Sequence, residues 1–312
     1  MNFVDWNGYR LSRLMLGTVQ FGLPYGVANR TGQPSYDEVR AIVSAAIDGG
    51  VNCFDTAASY GSSEDVLGRA LDELGVADRV VVVTKLRLLK PEERADPAAA
   101  AAALERSIDE SRRRLRLDCL PIVLFHAEAD APFVDVLARL QAAGLVRHVG
   151  VSCDTRPGGA LRLAADARFA ALQIPGNVVD RRHQRSGAFV EAARRGVAVF
   201  LRSVYLQGLL VMSEAEVPEM LQSVIPVRRR LADLAAAAGM QMGELALRYM
   251  LSQAGVTCVL TGVETTAQLH ENLDLFDRGP LPGDLLAEVD ALATDLPVEV
   301  VTPAMWPKAV RL

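Results

Sequence analysis

The feature that most constrains this sequence is a regular alternation of short strand-like segments with longer helical segments. Eight apolar runs recur along the 312 residues, and amphipathic helical patterns lie between them. The predicted strands are residues 14–18, 52–56, 80–85, 120–126, 148–152, 170–174, 197–203 and 257–262. Because strands that are joined by helices pair in parallel through right-handed crossovers, the alternation predicts an all-parallel α/β sheet.

Two architectures can hold eight parallel strands: a closed (β/α)8 TIM barrel and an open doubly wound sheet. An open sheet usually carries a GxGxxG or P-loop nucleotide motif, and the sequence contains neither. We therefore predict a (β/α)8 TIM barrel in which residues 1–312 form a single domain. An Asn7-Gly8 turn between β-forming residues predicts a short N-terminal β-hairpin that covers the bottom of the barrel.

Helix-start signals support this division of the chain. Ser35 and Glu38, and later Thr265 and Gln268, have the spacing of a capping box. Asp96 stands directly before a proline and a run of alanines, which predicts another helix N-terminus. The arginine runs at 112–114 and 228–230 fall inside helical segments, where we expect solvated faces.

Composition and charge exclude several classes of function. The formal net charge is −5 and no basic stripe is present, so nucleic acid and anionic membranes are not expected partners. Charged residues interrupt the first 17 residues, which argues against a signal peptide, and no apolar run is long enough to span a bilayer. The four cysteines are far apart and lack metal-ligand spacing, so we expect reduced thiols, no metal site and a cytoplasmic location.

Four polar side chains are predicted to meet at one rim of the barrel. Asp55 ends the second predicted strand, Tyr60 comes five residues later, and Lys85 and His126 end the third and fourth strands. Polar residues at the carboxyl ends of barrel strands face the catalytic side. A lysine ammonium near a tyrosine favours the phenolate, an aspartate would hold that ammonium, and a histidine could orient a carbonyl oxygen. This set suits protonation of a carbonyl and the reverse reaction.

The sequence around these four residues resembles the aldo-keto reductase family. The most specific motif is Asp-x4-Tyr-Gly, formed by Asp55, Tyr60 and Gly61. Further similar segments lie at residues 14–18, 54–61, 84–85, 117–126 and 268–272. The resemblance implies reversible hydride transfer between a nicotinamide cofactor and a small-molecule carbonyl or alcohol. Tyr60 would be the general acid or base, and Asp55, Lys85 and His126 would be its catalytic partners.

The same resemblance implies a set of residues that bind NADP or NAD. Ser152 and Gln173 match positions that hold the nicotinamide carboxamide. Arg202 stands where many members have a tyrosine stacked on nicotinamide, and a guanidinium face is a plausible substitute. Gln207 and Gly208 resemble the loop that folds over the pyrophosphate. The full implied set is Gly17, Thr18, Asp55, Ser152, Gln173, Arg202, Ser203, Gln207, Gly208, Gly262, Glu264, Gln268, Glu271 and Asn272.

The segment that usually meets the 2′-phosphate of NADP lacks positive charge in this chain. Val263, Glu264 and Gln268 occupy it, and Glu264 could accept hydrogen bonds from the free ribose hydroxyls of NAD. The helix that begins near Thr265 offers its N-terminus to a phosphate. NADPH is the default cofactor implied by the family, but the missing charge predicts a weaker preference for NADPH than is usual.

Two other functions are compatible with the residues. Lys85 could be the Schiff-base nucleophile of a barrel lyase or aldolase. Alternatively, the protein could be a redox-sensing subunit that binds the cofactor and turns over slowly.

The substrate is expected to contact loops at residues 21–34, 127–132 and 209–218 and the C-terminal tail. In the tail, Trp306 either forms a wall of the pocket or packs outside the barrel. Aromatic residues make up only 5% of the chain, and inward-facing side chains of Arg202, Asp154 and Asn177 would add polarity; a hydroxylated or sugar-like carbonyl is therefore favoured over a steroid.

Overall fold

The central feature of the fold is a closed barrel of eight parallel strands. The computed structural model of this chain describes residues 1–27, 29 and 31–307. An antiparallel hairpin, β1 (Phe3–Trp6) and β2 (Tyr9–Ser12), comes first. The barrel strands are β3 (Leu14–Gly17), β4 (Cys53–Asp55), β5 (Val81–Lys85), β6 (Leu120–Phe125), β7 (Val146–Ser152), β8 (Ala171–Pro175), β9 (Ala198–Arg202) and β10 (Cys258–Gly262). β10 pairs with both β3 and β9 and closes the barrel, which confirms the predicted fold class.

Helices connect successive strands and surround the barrel. They are α1 (Val19–Gly22), α2 (Tyr36–Asp48), α3 (Ser63–Glu73), α4 (Pro91–Ala95), α5 (Pro97–Leu115), α6 (Val134–Ala142), α7 (Pro157–Ala165), α8 (Arg182–Arg185), α9 (Ala188–Arg194), α10 (Ile225–Ala237), α11 (Met242–Leu251), α12 (Thr266–Asp277) and α13 (Gly283–Ala291). The sequence pattern does not predict α1, α4, α8 or α13. Within the described residues, every helix is too short or too polar to cross a bilayer.

The apolar core has two layers, one inside the barrel and one between the strands and the helices. Met15, Ile122 and Phe200 are fully buried inside the barrel. Phe54 and Val123 are buried in the outer layer among helix side chains. Since these strands are buried on both faces, their sequences are continuously apolar and do not alternate with polar residues.

The hairpin closes the end of the barrel where the strands begin. Asn7 and Gly8 have φ angles of 44° and 82°, the left-handed pair that a tight hairpin turn requires. Trp6 donates from Nε1 to the Gly196 carbonyl oxygen at 2.9 Å, and its ring lies 4.9 Å from that of His148. Trp6 also belongs to the inner apolar layer, so the hairpin seals that layer from below.

The two predicted capping boxes form only in part. The Ser35 and Thr265 hydroxyls accept from the backbone N–H groups of Glu38 and Gln268, both at 3.3 Å. The expected return bonds from the side chains are absent from the described hydrogen bonds, since Glu38 accepts from Thr266 and Gln268 accepts from another backbone N–H. The reciprocal half of each prediction is wrong because another backbone N–H takes the side-chain oxygen: that of the distant Thr266 for Glu38, and that of the nearby Glu264 for Gln268.

Trp306 packs outside the barrel. Its side chain is fully buried in the outer core layer, and Nε1 donates to the carbonyl oxygens of Glu299 at 3.0 Å and Val300 at 3.2 Å. Residues 308–312 of the tail, and positions 28 and 30 of the predicted substrate loop, lie outside the described residues.

We expect Trp306→Ala to lower the free energy of unfolding by about 3–5 kcal/mol, because it removes a fully buried aromatic side chain. Met305→Ala is the matched control, since that neighbouring side chain is 54% exposed and should change stability by less than about 0.5 kcal/mol. Urea unfolding of both variants measures the difference. Equal stability of the two variants would contradict the burial of Trp306.

Candidate active site

A cavity of about 1090 Å³ opens at the carboxyl ends of the barrel strands. Gly17, Asp55, Ser152, Arg202 and Gly262, which end five different strands, all line it. Such a volume is at the upper end of the range for ligand pockets and can hold an extended ligand. In the part of the chain that is described, His, Cys, Asp and Glu side chains form no group suited to a metal ion.

All but two of the sequence-predicted site residues line this cavity. The two exceptions are Lys85, which lies beneath it, and Thr18. Thr18 is fully buried; its hydroxyl lies 2.8 Å from the Asp55 carbonyl oxygen and 2.8 Å from the Ser63 hydroxyl. The structure therefore places Thr18 as a brace between β3, β4 and α3 instead of at the cavity wall.

A buried ion pair lies below the cavity floor. Lys85 Nζ donates to Asp55 Oδ1 at 2.6 Å and to the Thr56 carbonyl oxygen at 2.9 Å. Gln173 Nε2 donates to the same Asp55 oxygen at 2.7 Å. Burial alone would lower the pKa of Lys85, but Asp55 and then Tyr60 raise it above its ordinary value, so the ammonium persists.

Tyr60 and His126 stand above this pair at the cavity wall. Lys85 Nζ lies 4.7 Å from the centroid of the Tyr60 ring, and the His126 ring meets the Tyr60 ring edge-on at 5.8 Å. Burial, followed by the charges of Lys85 and Arg202, lowers the pKa of His126 to about 3. His126 is therefore a neutral imidazole near pH 7, and its Nδ1 lies 3.0 Å from the Ser59 hydroxyl.

The loop after β9 has an unusual backbone. Ser203, Leu206 and Gln207 have φ angles of 68°, 49° and 55°, and Gly208 follows at 94°. Left-handed backbone costs a non-glycine residue about 1–2 kcal/mol, and such strain is typical of ligand-binding segments. Gln207 Nε2 donates to the Tyr25 hydroxyl at 3.0 Å, which ties this loop to the segment after α1. Ser203, Gln207, Gly208 and Tyr25 all line the cavity.

The end of β10, the strand next to β9, and the start of α12 form another part of the cavity wall. A Cβ atom at Gly262 would come within 2.6 Å of the Gln20 side chain. Because glycine has no side chain, a ligand can approach the backbone closely at this position. Glu264 and Gln268 line this wall, with Gln268 Nε2 3.3 Å from Glu264 Oε2. Glu271 and Asn272 follow on α12.

Several cavity residues were not predicted from the sequence. The important one is Arg228 on α10, which was expected on a solvated face but is only 9% exposed. Its spacing from Leu231, another buried residue of the same helix, places it on the apolar face and could have indicated this. Further polar residues of the wall that the sequence does not predict include Gln20, Glu244, Thr261 and Arg278.

Unpartnered polar atoms concentrate in the cavity wall. Across the described residues, seven buried side-chain nitrogen or oxygen atoms lack a hydrogen-bond partner. Five belong to cavity-lining residues, namely Gln20 Oε1, Gln207 Oε1, Arg228 Nε, Arg228 Nη1 and Thr261 Oγ1. Buried polar groups in folded proteins are normally hydrogen-bonded, so these atoms fit a wall that a polar ligand such as a dinucleotide completes.

Comparison with known proteins identifies the family. A sequence model of the aldo/keto reductase family matches residues 13–294. The chain belongs to this family. Pyridoxine 4-dehydrogenase of Escherichia coli K12 is 24% identical, over 81% of this chain and 86% of that protein. L-glyceraldehyde 3-phosphate reductase of Escherichia coli O157:H7 is 26% identical, over 93% and 91%.

A solved aldo-keto reductase from Bacillus halodurans, in its holo form, has the same fold. It superposes with a TM-score of 0.78 at 20% identity, over 96% of this chain and 99% of that one. The predicted family is confirmed, and with it the class of enzyme: this chain is an oxidoreductase. Aldo-keto reductases act on small-molecule carbonyl compounds and generally use NAD(P)H, a cofactor that the unpartnered polar atoms of the cavity wall fit.

We expect the imidazole of His126 to remain neutral between pH 5 and pH 8, because burial and the neighbouring cations lower its pKa to about 3. The ring ¹⁵N chemical shifts, followed by NMR and assigned by comparison with His126→Asn, measure this. A titration step near pH 6.5 that disappears in the variant would contradict the neutral assignment.

Proposed function

We propose that this protein reduces an aldehyde or ketone to an alcohol, or catalyses the reverse, with NAD(P)H as its cofactor and Tyr60 as general acid or base. The observation that carries the proposal is the position of Tyr60 in the cavity wall, with its ring centroid 4.7 Å from the buried Lys85 ammonium and beside a neutral histidine. The bound nicotinamide would supply or accept the hydride.

The protein residues have complementary tasks in this reaction. Tyr60 gives its phenolic proton to the carbonyl oxygen during reduction and takes a proton back during oxidation. The Lys85 ammonium stabilises the phenolate that remains, and Asp55 keeps that ammonium charged and in place. The neutral His126 orients the carbonyl oxygen by a hydrogen bond and does not compete with Tyr60 as the acid.

The cofactor residues that the family resemblance implies line the cavity, apart from Thr18. We assign the nicotinamide end to Ser152, Gln173 and Arg202, at the ends of β7, β8 and β9. The strained loop at Gln207 and Gly208 would cover the diphosphate. The remaining assignments lie at the ends of β3 and β10 and along α12, namely Gly17, Gly262, Glu264, Gln268, Glu271 and Asn272.

The geometry of Lys85 disfavours the Schiff-base alternative. A lysine nucleophile must be neutral and must touch the substrate carbonyl. Lys85 is fully buried, does not line the cavity, and its pKa is raised by its pairing with Asp55. Opening a buried ion pair of this kind costs about 3–5 kcal/mol, so the pair supports Tyr60 as the reacting group.

The polarity of the wall favours a hydroxylated, sugar-like carbonyl substrate. Arg202 is held at the wall by bonds to the Cys153 carbonyl oxygen at 3.0 Å and the Ser203 hydroxyl at 3.3 Å. Asp154 lines the cavity and is exposed. Asn177 does not contribute, because its side chain bonds Ser203, Val179 and Asp180 in the backbone. Trp306 is absent from the wall as well.

Tyr60→Phe tests the proposed acid. The variant keeps the ring but has no transferable proton, so kcat should fall by about 10²- to 10⁴-fold while the Kd of the reduced cofactor stays within about twofold. The assay follows reduced-nicotinamide absorbance with a panel of aldehydes, ketoses and aldoses, and cofactor binding is followed by fluorescence.

Tyr36→Phe is the matched control, because the Tyr36 hydroxyl bonds Glu73 on the outer surface and should not influence turnover. Equal kcat in wild type and Tyr60→Phe would exclude Tyr60 as the acid. If no substrate of the panel consumes the cofactor although it binds, the slow-turnover redox sensor becomes the better description.

Glu264 is expected to weaken the preference for NADPH. Its carboxylate lines the wall of the cavity at the segment where the 2′-phosphate is expected, and it would repel that group. Glu264→Gln should raise the ratio of kcat/KM for NADPH to that for NADH by about tenfold, as expected for removing one unfavourable charge contact. Steady-state kinetics with both cofactors measures the ratio.

Glu288→Gln is the control, since Glu288 is exposed on α13 and does not line the cavity. A hundredfold advantage of NADPH in the wild type, unchanged in Glu264→Gln, would show that Glu264 does not face the 2′-phosphate position.

A further inference from the structure

Arg228 is a buried cation in the cavity wall that forms no ion pair within the described part of the chain. It lies on α10, is 9% exposed, and lines the cavity. Nη2 donates to the Met212 carbonyl oxygen at 2.6 Å, whereas Nε and Nη1 have no hydrogen-bond partner among the described residues. Glu214 is close enough for its negative charge to act on the pKa of Arg228, but Glu214 forms its ion pair with Arg229.

This arrangement is costly unless a hydrogen-bond acceptor completes it, and an anion is the acceptor that also compensates the charge. Arginine remains charged at all physiological pH values. A buried donor without a partner costs about 1–3 kcal/mol, and more when the group is charged. Buried polar groups in folded proteins usually have a hydrogen-bond partner. An unpaired guanidinium in a ligand cavity is suited to phosphate, because it can bind phosphate oxygens through two parallel N–H donors.

The other arginines of the wall are already engaged. Arg278 donates to Glu244 at 2.6 Å, so its charge is compensated. Arg202 ends β9 and already donates to the Cys153 carbonyl oxygen at 3.0 Å and to the Ser203 hydroxyl at 3.3 Å. Within the described residues, Arg228 is therefore the lining arginine that keeps two buried guanidinium nitrogens without a hydrogen-bond partner.

We propose that Arg228 binds a phosphoryl group of the dinucleotide cofactor. This inference rests on the proposed function, because it presupposes that NAD(P)H occupies the cavity. The Met212 carbonyl oxygen accepts the one hydrogen bond described for the guanidinium, and Arg228 lines the cavity, so Nε and Nη1 are the nitrogens left for a ligand of the cavity. The phosphoryl group is either in the diphosphate bridge or at the 2′ position, and the two sources are distinguishable.

Direct binding measurements on the whole protein test the inference. Arg228→Gln should raise the Kd of the cofactor at least about tenfold, the loss expected for a charge-assisted hydrogen bond. Arg228→Lys, which keeps the charge but not the two parallel donors, should recover part of the affinity. Arg229→Gln is the control: it also removes one charge from α10, but that side chain is 67% exposed and should leave Kd within about twofold.

Fragments of the cofactor separate the two sources. If Arg228 contacts the diphosphate, Arg228→Gln weakens NADH, NADPH and ADP by similar factors, and it weakens 2′,5′-ADP, which has a single 5′-phosphate, only when the contact is to the phosphate next to adenosine. If it contacts the 2′-phosphate, only NADPH and 2′,5′-ADP are weakened. Both results support the inference, and they identify which phosphoryl group is bound.

Unchanged Kd values for NADH and NADPH in a folded Arg228→Gln variant would overturn the inference and leave Arg228 as an anchor of the Met212 loop.

Should that variant not fold, the Nε–H resonance of Arg228 in wild-type protein, assigned through Arg228→Lys, gives a second test. A shift on titration with ADP or 2′,5′-ADP supports the inference, and no shift with either overturns it. Failure of the wild type to bind either reduced cofactor would instead reject the proposed function.

Discussion

The ion pair between Lys85 and Asp55 is the interaction on which the rest of the site depends. Removing two charges from water costs several kcal/mol for each ion. The attraction between the ions offsets this desolvation cost only when their geometry is good and further hydrogen bonds satisfy them. Here Gln173 donates to the same Asp55 oxygen as Lys85, the Thr56 carbonyl oxygen accepts a second bond from Lys85, and Thr18 bonds the backbone of Asp55. The ends of β3, β4, β5 and β8 are therefore fixed relative to one another beneath the cavity.

Much of the fold and of this floor could be predicted from the sequence because both depend on local pattern. Continuous apolar runs indicate strands buried on two faces, and an Asn7-Gly8 turn indicates a hairpin. Once the strands are parallel members of one barrel, their carboxyl ends share a rim, so residues as distant as Asp55 and His126 must approach. The cavity wall contains both, together with Tyr60.

Features that depend on tertiary partners could not be predicted in the same way. Arg228 stands in a run of three arginines, which normally indicates solvent exposure, yet α10 turns it inward while Arg229 pairs with Glu214 outside. Thr18 is adjacent in sequence to the cavity residue Gly17, but its hydroxyl turns toward Asp55 and Ser63. In each case, the side chain turns toward partners that are distant in sequence: Asp55 and Ser63 for Thr18, and the Met212 carbonyl oxygen for Arg228.

The distribution of satisfied and unsatisfied polar groups divides the cavity into two sides. On the side of β4, β5 and β6, Asp55 and Lys85 have direct protein partners and His126 is already neutral, so these groups need no ligand to be positioned. The unpartnered atoms of Gln20, Gln207, Thr261 and Arg228 belong to β10, to the segments after β3 and β9, and to α10. Preorganised groups lower the cost of reaching a transition state, whereas groups completed by a ligand contribute to binding. In the function proposed above, the reacting groups therefore belong to the first side, and a bound cofactor would complete the second.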